Sequence, residues 1–430
     1  MGIRMLVPLI LAVILASLGS SSDYGLAVYG NANLDNIIDE NDIAYLNKII
    51  NGSVEPTEFA DANNDGTIDE NDILQIEQII NKSEKKLIYM DIFGEAVTVN
   101  KPIERLVNLG WNGVDVTRAL GAENLILAVG NDYRKSTPIS YPYISQLPAV
   151  GDSADKCDFE TVLSLDPDAV QTNLEANWAV AESGRAQYEK FKDNLPGIPL
   201  ISLNVRELDN LSRNIRTYGY IIDKEDEAET FASWIDKQQN LVESRIENLT
   251  DEDKKRVYFE YRRYQTKGSG DRYSKSYIMA GGKNIADDMV GPESSQYFSV
   301  FDIDPEYVIE HDPEFIFIHA STQLNASDHG FETNDPSAMA ALRDDLMNRP
   351  ELANVDAVKS GNVYVLDESI LGGAGQTLIG SLYVAKLMYP ELFKDVDPQA
   401  IHQEYVDEFC NIDFDLNTNG VFIYPPFKDN

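Results

Sequence analysis

KEDEAETFASWIDKQQNLVESRIEN, residues Lys224–Asn248, decides how the rest of the chain is read. It contains neither Gly nor Pro and its acids crowd the front. Phe231, Ile235, Leu241, Val242 and Ile246 recur near helical spacing, which predicts one amphipathic helix. At ~1.5 Å per residue that helix is roughly 37 Å long, about the width of a small domain. On either side of it the chain echoes itself. CDFETVLSLDPDAVQTN (Cys157–Asn173) comes before and DIDPEYVIEHDPEFIFIHA (Asp302–Ala320) after. In each, a Glu (Glu160, Glu306) opens a short apolar helix, an Asp-Pro step follows (Pro167, Pro313), and a strand-like run comes next. The expectation is two similar α/β lobes joined by a rigid helix.

Length supports more than one core, because 430 residues exceed what a single core of ordinary size holds. Apolar content of 43% and charged content of 25% are those of a globular protein and exclude disorder throughout. With 72 acids against 35 bases the net charge is -37, which excludes nucleic acid as a partner, since phosphate binding needs a basic face. A soluble acidic surface accounts for most of that charge. The N-terminus, MGIRMLVPLILAVILASLGSSS, has one Arg, an apolar run from Met5 to Leu18 and then small residues. It reads as a secretory signal over 1–22, with retention as an uncut anchor the alternative, and the destination is extracytoplasmic, secreted or at the cell surface. No Cys follows it, so a lipid-anchored form is not expected. Cys157 and Cys410 are the only cysteines; a disulfide is open to them, but two free thiols are expected.

Residues 30–52 and 60–82 repeat with a period of 30: NANLDNIIDENDIAYLNKIING aligns with DANNDGTIDENDILQIEQIINK. In the second copy Asp61, Asn63, Asp65, Asp69 and Asp72 occupy positions 1, 3, 5, 9 and 12 of a calcium loop, Thr67 offers its carbonyl at position 7, and Gly66 makes the turn. Calcium wants about six to eight oxygens, and this spacing wraps them around one point. In the first copy Asn31, Asn33, Asp35, Asp39 and Asp42 repeat the pattern with Ile37 at position 7, and Asn36 replaces the Gly, tolerated because Asn enters the left-handed region readily. Three acids in the first loop and four in the second predict tighter binding at the second. Each loop has a helix leaving it and none clearly entering. This doubled half-hand resembles the dockerin domain over Val28–Ser83, which implies a cohesin-like partner chosen in part by the two residues after position 9. Here those are Glu40, Asn41 and Glu70, Asn71.

Past SEKKLIYMD (Ser83–Asp91), strand-like and helical runs alternate: strand Arg105–Leu109, helix Val114–Leu120, strand Asn124–Val129, helix Asp158–Leu165, strand Asp168–Gln171, helix Ala181–Asn194 and strand Pro199–Leu203. Beyond the central helix the alternation resumes from Arg256 to Tyr389. That pattern means mainly parallel sheets with covering helices. The tail, Pro398–Asn430, has no evident role.

Ligands of open parallel sheets bind at the carboxyl ends of the strands. Applied to both lobes, the rule selects Trp111, Asn112, Tyr133, Arg134, Asn173, Glu175 and Trp178 in the first, and Tyr261, Arg262, Arg263, Tyr264, His319 and Ser321 in the second, with the Gly-rich LGGAG (Leu371–Gly375) after them. Exposed aromatics beside Arg suit a planar or anionic ligand. KGSG (Lys267–Gly270), just before a helix, is a candidate for holding an anion on free backbone N–H groups. For each of these residues an ordinary rim or loop role is the competing reading, and for His319 a structural one. No catalytic triad, HExxH, Walker loop or CxxC pair occurs, so no enzyme is expected.

Taken together, NLGWNGVD, VGDSADKCDFETVLSLDPDAV, the central helix, MAGGKNIADDM, DIDPEYVIEHDPEFIFI and KSGNVYVLD resemble the extracytoplasmic substrate-binding receptors of ABC importers, over about Leu87–Pro426. The class is the one with two lobes and a connecting helix that takes up iron–siderophores, haem and cobalamin. The resemblance implies that Glu160 and Glu306 dock onto arginines of the permease, one from each lobe; favouring a helix N-terminus is the alternative role for both. The organisation expected is a signal at 1–22, a small all-α dockerin-like domain at 23–84 with two calcium sites, lobe one at 87–205, bridging helices at 206–250, lobe two at 255–395 and a tail at 396–430. The function expected is a receptor for a metal chelate, tethered through cohesin. A tetrapyrrole chelatase-like enzyme and a non-transport scaffold module are the rivals.

Overall fold

The computed structural model describes residues 24–131, 137–172, 182–206, 208–292 and 294–427. The signal segment lies outside them. In the calcium repeat, α1 (Glu40–Ile50) and α2 (Glu70–Ile80) start on the same device. Asp39 or Asp69 caps the helix while Asp42 or Asp72 reaches back to the cap's own N–H, so position 12 of each loop is also the third helical residue. An antiparallel pair, β1 (Lys86–Met90) and β2 (Ala96–Asn100), follows.

The first lobe contains β3 (Leu106–Asn108), α3 (Trp111–Ala119), β4 (Ile126–Val129), α4 (Phe159–Ser164), β5 (Ala169–Gln171), α5 (Glu182–Asn194) and β6 (Leu200–Ile201). Its sheet runs β4-β3-β5-β6, all parallel. Next come α6 (Leu211–Ile221) and α7 (Glu225–Ile246). The second lobe contains β7 (Lys255–Glu260), β8 (Gln265–Lys267), α8 (Arg272–Met279), β9 (Gly282–Asn284), β10 (Val300–Asp302), α9 (Pro305–His311), β11 (Phe315–His319), α10 (Ser337–Met347), α11 (Asp356–Ser360), β12 (Val363–Leu366) and α12 (Ala374–Met388). The tail adds α13 (Pro398–Phe409) and β13 (Ile423–Tyr424). The second sheet runs β13-β12-β11-β7-β9, parallel except for β13. The fold is thus α/β with mainly parallel sheets, and the tail has a role the sequence did not disclose: it is an edge strand.

Strand side chains alternate between two cores, as a pleat requires. Leu106, Ile126, Ala169 and Ile201 face the central helices, while Val107, Ala128, Val170 and Leu200 pack under α5 with Tyr188 and Phe191. In the second lobe Val257, Phe259, Phe315 and Phe317 share the central core, whereas Tyr258, Ile316 and Ile318 form a separate outer one. The connection between lobes is a pair of packed helices rather than α7 alone. α7 buries Phe231, Trp234, Ile235 and Val242 on one stripe, with Phe231 and Trp234 set against Tyr405 and Phe409 of α13. Truncating one such aromatic typically costs about 3–5 kcal/mol.

The echo in the sequence becomes a repeated corner. Leu106 pairs with Ala169 as Val257 pairs with Phe315, so β3 corresponds to β7 and β5 to β11. Asp166 and Asp312 end α4 and α9 with φ of 48° and 42°, a region Asp enters more easily than most residues. Arg105 Nε donates to the Asp166 carbonyl at 2.8 Å, and Arg256 Nε to that of Asp312 at 3.1 Å. After each Pro an acid returns to the neighbouring strand: Asp168 accepts from Arg105 N at 2.8 Å and Glu314 from Arg256 N at 3.2 Å.

The calcium repeat packs directly on this body. Val28 bridges Tyr89 of β1, Ala27 N donates to Thr217 Oγ1 at 3.0 Å, and Ile38 N donates to the Tyr220 hydroxyl at 2.8 Å, both partners lying on α6. Lys82 pairs with Glu225 at 2.8 Å, and Leu46 and Ile76 belong to the central core.

Candidate ligand cleft, calcium loops and docking faces

Parallel strands from both lobes aim their carboxyl ends at one cavity of about 310 Å3, near the lower end of ligand pockets at ~300–1,000 Å3. Two spans close it. Glu332 of the second lobe accepts from Ile139 N and Ser140 N at 3.1 and 3.0 Å, and Gln376 Nε2 donates to Asp115 Oδ2 at 3.1 Å. Deeper in, Gly373 at φ 151° lets α12 approach Asn112: a Cβ there would lie 2.2 Å from the amide oxygen. That is the use of LGGAG.

Apart from Glu332, which backbone N–H groups hold, the charged groups of the cleft hold one another. Asp115 pairs with Arg118 at 3.2 Å and accepts from the Tyr141 hydroxyl, and Arg118 lies 4.2 Å from the Tyr141 ring. Burial pushes the Asp115 carboxyl upward against the pull of Arg118. On the opposite wall His329 Nδ1 is hydrogen-bonded to Asp367, and Nε2 has no partner. Burial by itself would lower the His329 pKa, but Asp367 carries it above the usual imidazole value while being held below the carboxylate range in turn. The loop bearing His329 is braced by the tail: Gly330 and Val421 exchange hydrogen bonds of 2.7 and 2.8 Å, and Asp367 N donates to Phe422 O at 2.9 Å. None of Arg118, Tyr141, His329, Glu332 or Asp367 was selected from the sequence. Arg118, Tyr141, His329 and Glu332 lie within a helix or long connections, and only their convergence identifies them; Asp367 directly follows the last residue of β12, where the strand-end rule was not applied.

Of the residues the strand-end rule selected, Trp111, Asn112 and Ser321 line the cavity, the first two as the opening residues of α3 rather than in a loop. Trp111 keeps 36% of its surface exposed. Tyr133, Arg134, Asn173, Glu175 and Trp178 lie outside the described residues. Tyr261, Arg262, Arg263 and Tyr264 are placed off the cavity. Paired bonds between Tyr261, Arg262 and Gln265 turn the chain sharply after β7, so Tyr264 faces an outer corner while the Tyr261 ring packs inward on His319. There Tyr264 lies 4.9 Å from the Arg349 guanidinium. His319 is fully buried between the rings of Phe259, Tyr261 and Tyr273, both nitrogens unpartnered, and burial lowers its pKa to about 4. The KGSG segment has no free N–H row: Ser269 N donates to Asp287 and Gly270 N to Tyr297 O.

Both calcium loops fold alike. Asp42 and Asp72 each accept from position 3, Asn33 N and Asn63 N, at 3.1 Å. Asp35 and Asp65 accept from the N–H of Ile37 and Thr67 at 2.9 Å. Gly66 adopts φ 91°, but Asn36 is not in the left-handed region expected of it; in both copies that conformation falls at position 4, Leu34 and Asn64. The residues present fit a cation. Asn31 spends its amide N–H groups on Leu26 O and Asp35 O, leaving a buried Oδ1 without a partner at position 1. Glu40, Asn41, Glu70 and Asn71 are exposed. So are Glu160 and Glu306, each in the first turn of its helix behind an Asp cap. Both cysteines are free.

Residues 106–370 match the family described as "Periplasmic binding protein", and residues 29–81 match "Dockerin type I domain". A curated relative, the molybdate-binding protein MolA of Haemophilus influenzae, is 21% identical over 349 residues, spanning 75% of this chain and 90% of its own. The solved structure of that protein with molybdate superposes with a TM-score of 0.60 at 19% identity, covering 76% of this chain and 99% of the other. The TroA-like periplasmic binding protein FepB from Veillonella parvula gives 0.64 at 24% identity, with coverage of 78% and 98%. Helicobacter pylori CeuE with Ni(II) gives 0.57 at 20%, with coverage of 76% and 97%. Likeness at these identities establishes the fold.

Proposed function

Because the chain belongs to the periplasmic binding protein family, a family of solute receptors for ABC transporters and not of enzymes, we propose that it captures a metal chelate of the iron–siderophore, haem or corrinoid kind and passes it to an importer. Like its relatives it works outside the cytoplasm; no described helix is long and apolar enough to cross a membrane. The observation that carries the ligand class is the exposed Trp111 at the wall of a cavity whose cations Arg118, Arg272 and His329 are already paired. Such a wall offers stacking and a few hydrogen bonds rather than a charged cage. Among the described residues there is no group of three or more His, Cys, Asp and Glu able to hold a bare metal ion in the cleft. A bare oxyanion, the ligand of MolA, is less well matched, because the lining cations Arg118, Arg272 and His329 already face Asp115, Glu368 and Asp367, and Glu332 adds a further acid. A thermal-shift panel of haemin, aquacobinamide, a ferric catecholate and molybdate tests this. A rise with one of the chelates is expected, and Trp111→Ala should weaken that binding about tenfold. A rise with molybdate alone would sink the reading.

Glu160 and Glu306 are the docking acids of this proposal, one per lobe. The calcium repeat holds two ions, the first on Asn31, Asn33, Asp35, Ile37, Asp39 and Asp42, the second on Asp61, Asn63, Asp65, Thr67, Asp69 and Asp72; the ions tie each loop to the start of its helix. A cohesin-like partner meets the exposed pairs after position 9. Calorimetry of the full chain should find two calcium ions, the tighter in the second loop; a single event, or equal affinities, contradicts that assignment.

A further inference from the structure

FETVLS in α4 and PEYVIE in α9 share more than their acids. Both read Glu, any residue, Val, aliphatic. Val162 and Val308 are fully buried, so the two helices are turned the same way on their lobes. The next residue then points outward in both: Leu163 is 44% exposed and Ile309 39% exposed. Each lies three positions after the docking acid, on the same helical face. A single exposed Leu needs no explanation. Recurrence of the same acid and aliphatic at corresponding helices of both lobes does.

Glu225 and Glu227, also in the first turn of a helix, are paired with Lys82 and Lys224. Glu160 and Glu306 take part in no ion pair among the described residues, leaving each as an unneutralised acid with an aliphatic contact beside it. The geometry points to a docking unit made of two residues per lobe, Glu160 with Leu163 and Glu306 with Ile309. Its partner is an importer whose two related halves each present a cationic side chain beside an apolar recess. This rests on the receptor function proposed above and extends it from charge to shape. Charge steers the encounter over a distance of about 10 Å, whereas the aliphatic contributes only on contact, by losing water.

The experiment is a binding titration of the full chain, loaded with calcium, against the importer of its chelate reconstituted in nanodiscs. Leu163→Ser and Ile309→Ser should each weaken binding about tenfold without altering its salt dependence, and the double variant about a hundredfold. Glu160→Arg and Glu306→Arg should weaken it and flatten the salt dependence. Met289→Ser, at another exposed apolar residue of the second lobe, should bind as the parent does. Thermal midpoints of the Ser variants should equal the parent's, since both side chains are outside the core. If the Glu variants weaken binding and the Ser variants do not, the docking unit is the acid alone and the inference falls while the receptor reading stands. If only one lobe's Ser variant has an effect, the pairing is wrong. If charge reversal at both acids changes nothing, the docking reading itself fails.

Discussion

The two lobes are alike at their corners and unlike at their centres. Arg105, Asp166 and Asp168 in one, and Arg256, Asp312 and Glu314 in the other, make the same closure of helix onto strand. At the centres, Asn108 and Gln171 of the first lobe form a neutral amide pair at 2.7 Å, where the corresponding strands of the second carry Phe259 and Phe317. The second lobe keeps its buried charge elsewhere: Glu260, wholly inaccessible, receives Arg349 in two bonds of 2.7 and 2.8 Å. All four histidines of the chain also lie beyond the central helices. A corner is a local solution that two copies can keep while their interiors diverge, because interiors are packed against different neighbours.

The largest test of that contrast is Arg349→Met. It leaves the buried Glu260 without its cation, with only the Tyr258 hydroxyl and Tyr264 N still donating to it, and about 3–5 kcal/mol of stability should be lost in urea denaturation. Replacing both partners, Arg349→Met with Glu260→Leu, should recover most of it. Recovery of nothing would mean that the pair specifies the second lobe rather than merely satisfying itself.

Acid should separate the lobes next. Burial lowers His319 to about 4 and His402 to about 3, whereas both take up protons near 6.5 once unfolded. Glu368 and Asp367 pull His319 up, Lys267 and Arg272 push it down, and Asp367 pulls at His402, but burial outweighs them all. The unfolded chain therefore binds more protons below 6.5, so stability falls as pH drops from there toward 4. At pH 5 each histidine should cost about 2 kcal/mol relative to pH 7, by the ~1.36 kcal/mol per unit of linkage. His319→Phe and His402→Phe should each flatten the dependence; an unchanged slope would refute this source of acid sensitivity.

The smallest expected effect tests the likeness. Asp168→Ala and Glu314→Ala should each cost about 1–2 kcal/mol, and their sum should hold in the double variant to within ~0.5 kcal/mol. A cost in one lobe only would show that the corners match in shape but not in energy.

Segments whose chemistry is local were legible. The strand expected at Asp168–Gln171 is β5, one residue shorter, and α7 begins one residue from its expected start. Both calcium loops close within their own twelve residues, so spacing sufficed. The cleft was not legible in that way. His329 and Asp367 are 38 residues apart and Asp115 and Gln376 are 261 apart, and of the four only Asp367, directly after β12, has a position that marks it. The strand-end rule overreached at YRRY because a tight turn after β7 redirects it, and at His319 because the last residue of a strand sits one layer below the mouth. The tail was opaque because an edge strand of two residues carries no periodicity.

By itself, then, the sequence determined the alternation of strand and helix, the repeated Asp-Pro corner, the doubled twelve-residue loop and the Glu that opens each short helix, each written within about twenty residues and needing no distant partner. Tertiary structure alone decided which side chains face the cleft, that the tail braces its wall, and that the calcium repeat is seated on α6 through Thr217 and Tyr220. The reason is physical: periodicity encodes which face of an element avoids water, but which two faces meet depends on packing among all the elements at once.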